Sequence, residues 1–342
     1  IMLGGVTVNF ILAYVIFVGM SFFYGDADVK ADSLKGGYYV ENPVLLEAGF
    51  KTGDKVLAIN EYPIVNDSDI GLYIISAENI TIDRDGVEQT IDLPEDFLGQ
   101  LSSKGNKSLF EFRYPFIVES VSDTSQNKGV DLKLNDQIIT IDGRPAEYLD
   151  EIELIVQDLK GETVPVQALR EGDTINRTLA ISKTGKLGIY RVLKMSAFEE
   201  LGYLQVTRKE YSFGESFAAG GRKFTRTLSN YGAQLKAIFS PSTGAYKGLG
   251  GFKAIYDQFP SDWSWSYFWG LTAFLSIMLA VLNLLPIPAL DGGHVMFLLF
   301  EIVSGKKPSE KFLERAQIIG FFILIALVIF ANGNDIFKAL TN

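Results

Sequence analysis

Asn283-Leu284-Leu285-Pro286-Ile287-Pro288-Ala289-Leu290-Asp291-Gly292-Gly293-His294 follows directly on an apolar run that begins near Phe268. An aspartate beside such a run is costly unless it is paired or bound to a cation. Pro286 and Pro288 interrupt a helix, and the backbone groups they free must face protein or a water-filled cavity. Asn283 adds a polar side chain at the same depth, while Gly292 and Gly293 permit close backbone approach. The plainer reading is a helix end at an interface with a capping Asp, since Asp-Gly after prolines is ordinary turn chemistry.

Outward from this stretch, three segments are predicted to cross a bilayer: 6–23, 268–285 and 318–330. A span needs about 20 apolar residues, so the third is short, and a buried helix is its alternative. Trp263, Trp265, Tyr267 and Trp269 at the start of the second form an aromatic belt of the kind found at a water–lipid boundary. A signal-peptide core is the alternative for the first, but no basic residue precedes it and no small-residue cleavage pattern follows. The mean hydropathy of +0.17, with 21% charged residues, fits apolar spans joined to a polar domain. A net charge of −10, with nothing supplying a broad basic face, argues against a nucleic-acid partner. With no cysteine, disulfides and thiolate metal sites are excluded. The sequence starts at Ile1, almost inside an apolar run, and a preceding segment is expected.

Lys306, Lys307, Lys311 and Arg315 lie in the short loop between the second and third spans, which marks that loop as cytoplasmic. The long insert, about 24–262, then faces the opposite side, periplasmic or extracellular in a bacterium.

The insert contains an internal repeat. Gly53-Asp54-Lys55-Val56-Leu57-Ala58-Ile59-Asn60 has its counterpart in Asn135-Asp136-Gln137-Ile138-Ile139-Thr140-Ile141-Asp142-Gly143, and Pro63 and Pro145 follow. Each copy reads as a turn, a strand and a second turn. Further strands at 79–83 and 163–169 end in Asp85-Gly86 and Glu171-Gly172-Asp173, which predict hairpins. The pattern resembles the Leu-x-x-Gly-Asp-x-Ile-x-x-Ile-Asn-Gly signature of PDZ domains. The second copy departs at Asn135, where asparagine tolerates the left-handed backbone that the glycine supplies. The resemblance implies peptide capture by strand addition at a sheet edge; spacers that bind nothing, or a size filter, are the alternatives.

Beyond the repeat, Phe213, Phe217, Phe224, Leu228, Tyr231, Leu235 and Ile238 recur at helical steps, with Arg222, Lys223, Arg226 and Lys236 alongside. This amphipathic helix suits a membrane surface or a packed position against the repeat pair. The glycine-rich run 244–251 is not a phosphate loop, since no Gly-Lys-Ser/Thr element accompanies it.

The stretch from Asn283 to Gly292 resembles the Asn-x-x-Pro-x-Pro-x-Leu-Asp-Gly motif of the site-2 protease family of intramembrane zinc metalloproteases. Gly4-Gly5-Val6-Thr7-Val8-Asn9-Phe10 resembles the Gly-x-x-x-Asn-Phe entry to that family's second membrane helix. The bacterial branch that regulates sigma factors, with tandem PDZ domains between its second and third spans, resembles nearly the whole chain. The implied fold is a multi-domain membrane protein. Its α-helical transmembrane core comprises 1–24 and 263–342, with two tandem α+β PDZ-like domains (25–112 and 113–190) and an amphipathic helical region (191–262). The implied cofactor is Zn2+, with Asp291 its third protein ligand. Asn283 and the broken backbone at Pro286 and Pro288 are candidates for substrate binding, with helix packing the alternative for Asn283. Gly4, Gly5, Asn9 and Gly292 are structural motif positions. The resemblance implies cleavage of a single-span membrane protein, such as an anti-sigma factor or a leftover signal peptide, within the lipid of the bacterial inner membrane.

The family's remaining ligands and general base lie in His-Glu-x-x-His. This chain has one histidine, His294, so that motif is not within it; it is expected upstream of Ile1. His294 is not a ligand in the family. The principal rival reading is a non-catalytic membrane-anchored adaptor that captures peptide ends. A transporter is disfavoured, since no repeated membrane half is visible.

Overall fold

A computed structural model describes residues 3–104, 108–260 and 262–341. Helix α1 (Gly4–Tyr24) leads into β1 (Asp26–Val29). The first copy of the repeat supplies β2 (Tyr38–Tyr39), α2 (Pro43–Ala48), β3 (Lys55–Ile59), β4 (Tyr62–Pro63), α3 (Asp67–Tyr73), β5 (Asn79–Arg84) and β6 (Val87–Asp92). Then come α4 (Phe97–Lys104) and β7 (Glu111–Phe112). The second copy supplies β8 (Val118–Val121), β9 (Gln137–Ile141), β10 (Arg144–Pro145), α5 (Leu149–Asp158), β11 (Thr163–Arg170), β12 (Asp173–Ala180) and β13 (Ile189–Arg191). After α6 (Met195–Glu200) and β14 (Val206–Lys209) the chain is helical: α7 (Phe213–Ile238), α8 (Phe252–Tyr256), α9 (Trp265–Leu284), α10 (Asp291–Ser304) and α11 (Glu310–Thr341).

Two compact units result. One holds Asp28–Pro94 and Lys104–Thr207; the other gathers the chain before Asp28, Glu95–Ser103 and the chain from Arg208 onward. These boundaries differ from the sequence expectation in two places. Residues 191–207 belong to the sheet-bearing unit, in which Phe198, Tyr203 and Leu204 are buried. Residues 95–103, expected within 25–112, belong to the helical unit, where Gly99 meets the backbone of Gly244 so closely that a Cβ would lie 2.8 Å from its Cα.

In the sheet-bearing unit the two copies repeat one topology. Their four-stranded antiparallel sheets run β4-β3-β5-β6 and β10-β9-β11-β12. Each is anchored by the same buried ion pair. Asp54 is 1% exposed and takes two bonds from Arg84, both 2.7 Å, and one from the Lys51 N–H at 2.8 Å. Asp136, also 1% exposed, takes bonds of 2.8 and 2.7 Å from Arg170 and one of 2.7 Å from the Lys133 N–H. The bidentate fork satisfies a carboxylate that would otherwise be stranded in the core. Burial pushes the Asp136 pKa upward, but the Arg170 guanidinium and the Lys133 N–H outweigh it and hold it below the ordinary value. Asn135 has φ +69°, the left-handed turn that Gly53 makes at +100° in the first copy. Both hairpins turn through paired positive φ, Asp85-Gly86 and Glu171-Gly172. The second core packs Ile152, Ile155 and Val156 of α5 against Ile138, Ile141, Val164, Val166 and Leu179 of the sheet.

In the helical unit, α1 and α9 meet through Ala13, Phe17, Ala273 and Ile277. Alanine at the contact lets two membrane-type helices approach closely. Among the described residues three helices are long and apolar enough to cross a membrane: Gly4–Tyr24, Trp265–Leu284 and Glu310–Leu340. The third is the one whose length the sequence understated. The helix runs well past the apolar stretch 318–330 at both ends, because Glu310-Lys311 before it and Asn332-Gly333-Asn334 after it continue the turn without a proline. Helix α7 packs along α1, with Phe224 and Leu228 joining the Ala13–Ile277 cluster.

Candidate functional site

α9 stops at Leu284 because Pro286 and Pro288 lack the N–H that another helical turn requires. The intervening residues fold into tight turns instead: the Leu285 N–H donates to the Leu282 carbonyl at 3.1 Å, Ile287 to Leu285 at 2.7 Å and Leu290 to Ile287 at 2.8 Å. α10 starts at Asp291, with Leu290 in extended conformation before it. The carboxylate therefore sits in the first turn of a helix, where the aligned peptide dipoles favour negative charge. Asp291 is half-buried.

Three glycines hold this turn against its surroundings. A Cβ on Gly292 would lie 2.3 Å from the Leu284 carbonyl oxygen and 2.4 Å from that of Leu285. One on Gly293 would lie 2.4 Å from the Ile287 oxygen and 2.4 Å from the Pro288 Cα. One on Gly320, in α11, would lie 2.7 Å from the Ala289 nitrogen. The start of α10 is thus folded back on the end of α9, and α11 closes on the Pro-x-Pro turn. Gly320 was not singled out by the sequence. A lone glycine inside an apolar run is ordinary in a membrane helix, so only its neighbour in space distinguishes it.

Asn283 is half-buried in the last turn of α9. Pro286 is exposed and Pro288 half-buried in the turn. Asn9 lies on α1, and its carbonyl accepts a 2.9 Å bond from the Ser276 hydroxyl of α9, a buried cross-helix link. Gly4 and Gly5 are exposed and a Cβ on either meets nothing within 4 Å. His294 is half-buried in α10, its ring edge-on to Phe297 at 6.4 Å.

A second polar constellation escaped the sequence reading. Asp335 of α11 is 9% exposed and its Oδ2 accepts the N–H groups of Gly251 at 2.9 Å, Lys253 at 3.1 Å and Ala254 at 3.3 Å. Asn334 donates to the Lys247 and Leu249 carbonyls at 2.9 and 2.7 Å. The glycine-rich run is therefore fastened to the end of α11. The polar string Asn332-Gly333-Asn334-Asp335 directly after an apolar run was the available signal.

As a zinc site the residues in hand are incomplete. Catalytic zinc takes about three protein ligands plus water. Among the described residues no group of three His, Cys, Asp or Glu side chains is placed to hold a metal. The chain offers Asp291 as a single donor at the Pro-x-Pro turn.

Three helices of bilayer length among the described residues, one before and two after the sheet-bearing segment in the sequence, mark a membrane protein. The family model of peptidase family M50 matches residues 1–327. The chain belongs to this family, the site-2 protease family. It is similar to the zinc metalloprotease RasP of Shouchella clausii, with 30% identity over 219 residues, 63% of this chain and 50% of that protein. It is also similar to the regulator of sigma E protease of Haemophilus influenzae, with 27% identity over 231 residues, 65% of this chain and 49% of that protein. The chain spans about half the length of these curated relatives.

Proposed function

We propose that this chain is part of an intramembrane zinc metalloprotease of the site-2 type, one that cleaves single-span membrane proteins in regulated intramembrane proteolysis. One observation carries the reading. The string Asn283 to Gly292 ends a bilayer-length helix and delivers Asp291 to the first turn of the next, inside a chain that the M50 family model matches almost throughout. Relatives that bear the name zinc metalloprotease support the metal. Asp291 is the ligand this chain contributes. The two histidines of a His-Glu-x-x-His sequence would complete the three ligands, and its glutamate would serve as general base. Zinc, when bound, supplies the Lewis acidity that makes water a nucleophile at neutral pH. Asn283 and the backbone of the turn at Pro286 and Pro288 are the candidates to receive an unwound substrate segment.

The two copies of the repeat serve as tandem PDZ-like domains on the periplasmic or extracellular side of the inner membrane, open to peptide ends. Their shared strand order and matched Asp–Arg anchors support a duplicated domain. The adaptor reading keeps one observation in its favour, the single histidine of the sequence. The test is cleavage of a single-span substrate by the purified longer protein in liposomes. Loss of cleavage with a zinc chelator and recovery with added zinc supports the protease. Binding of substrate without cleavage, with or without zinc, favours the adaptor.

A further inference from the structure

We infer that α7 dips into the bilayer beside α1 and that its basic, small-residue face lines a water-filled groove reaching acyl-chain depth. This rests on the reading of α1 and α9 as membrane spans.

The contacts of α7 descend α1 in order. Phe213, at the start of α7, meets Phe22 edge-on at 5.8 Å. A Cβ on Gly220 would lie 2.6 Å from the Val18 backbone nitrogen, so the helices touch backbone to backbone there. Phe224 meets Tyr14 at 6.4 Å and Phe10 at 5.8 Å. Tyr231 then reaches Phe274, in the middle of α9, at 5.9 Å. Phe22 to Phe10 covers about 18 Å of α1 at helical rise. A helix lying flat on a membrane crosses an upright span once, within about two turns. α7 instead runs down more than half of α1.

Lys223 gives independent support. Its ammonium pairs with Asp26 at 2.6 Å and bonds to the Gly25 carbonyl at 3.3 Å, just beyond the end of α1. Its neighbour Phe224 meanwhile packs near Phe10 and Tyr14. The lysine is extended back toward the membrane boundary, as long cationic side chains are when their backbone lies below it.

The opposite face of α7 carries Arg222, Thr225, Arg226, Ser229, Gly232 and Lys236, all exposed and, apart from the adjacent pair Thr225-Arg226, spaced three or four apart. Such a stripe pressed against lipid tails would be costly; polar residues at that depth face protein or water. Nothing bulky or apolar interrupts the stripe. Thr225 already donates to the Gly221 and Arg222 carbonyls, and Arg222 lies over the Tyr211 ring. The whole stripe nonetheless remains exposed, and water is the occupant compatible with both its cationic and its small polar side chains.

The test labels Ser229→Cys and, separately, Gly232→Cys with bimane in the full chain in liposomes. The native sequence contains no cysteine, so each label is unique. Ser229 is exposed, and a Cβ at Gly232 meets nothing within 4 Å, so both variants should fold. Quenching by aqueous iodide without quenching by headgroup-nitroxide lipid is the expected result. Quenching by the headgroup nitroxide would place α7 on the surface and overturn the inference. Quenching only by acyl-chain nitroxide would put the stripe against lipid, and quenching by neither would put it against protein; either overturns the groove. Val15→Cys, on the exposed face of α1, is the companion probe. If acyl-chain nitroxide fails to quench it, the membrane placement of α1 is what has failed, and the groove falls with it.

Discussion

Replacing Gly292 by alanine should disrupt the turn that presents Asp291. The added Cβ would sit 2.3 and 2.4 Å from two backbone oxygens, those of Leu284 and Leu285. Ordinary carbon–oxygen contact is about 3.3 Å or more, so α10 must retreat from the end of α9 by about 1 Å. Leu285 precedes a proline and has little freedom to yield. Overpacking of this kind costs about 1–3 kcal/mol. Gly19→Ala in α1 is the matched control, because a Cβ there meets nothing within 4 Å. Alanine in an open helical position should stabilise by about 0.5–1 kcal/mol. The two substitutions are chemically identical and should move stability in opposite directions. Unfolding in detergent can be followed by tryptophan fluorescence, since Trp263, Trp265 and Trp269 lie in or just before α9. A Gly292→Ala protein as stable as wild type, or stabilised like Gly19→Ala, would refute the close approach.

Arg84→Met should destabilise the sheet-bearing unit by about 3 kcal/mol, read as a lower denaturation midpoint, because Asp54 would remain buried without its partner. Acid should act on the second copy. The Asp136 pKa is held below its ordinary 3.8 in the folded state, so its stabilisation is complete above that value and is lost as pH falls through the lower, folded value. Titrating stability below pH 4 in wild type and Asp136→Asn should show a steeper acid loss for wild type. Cysteines placed at Asp123 and Lys307, both well exposed, test the sidedness: an impermeant thiol reagent added to intact cells should label position 123 and spare 307.

The sequence made the spans legible because hydrocarbon thickness dictates run length, and it made the repeat legible because Asp54 and Asp136 recur with the same turn and strand around them. The Asn135 turn was predictable from the side chain alone, since asparagine accepts positive φ. What stayed hidden depends on partners distant in the chain. Gly320 acquires meaning only from Ala289, and Asp335 only from the N–H groups of residues 251–254. Helix α10 was concealed because an Asp-Gly-Gly start reads locally as a turn. The amphipathic stripe of α7 was visible, but periodicity cannot say what the apolar side covers. The packing shows it meeting α1, through Gly220 and Phe224.

The most direct measurement concerns Asp291 in the longer protein that carries the expected His-Glu-x-x-His helix. Asp291→Asn keeps nearly the same shape, so the Pro-x-Pro turn and membrane insertion should survive. The amide lacks the charge that a carboxylate bound directly to zinc supplies. Zinc content per purified protein and cleavage of a transmembrane substrate should both fall sharply, with thermal stability of the metal-free protein unchanged. Zinc and cleavage at wild-type levels in Asp291→Asn would contradict the ligand assignment and the protease function built on it.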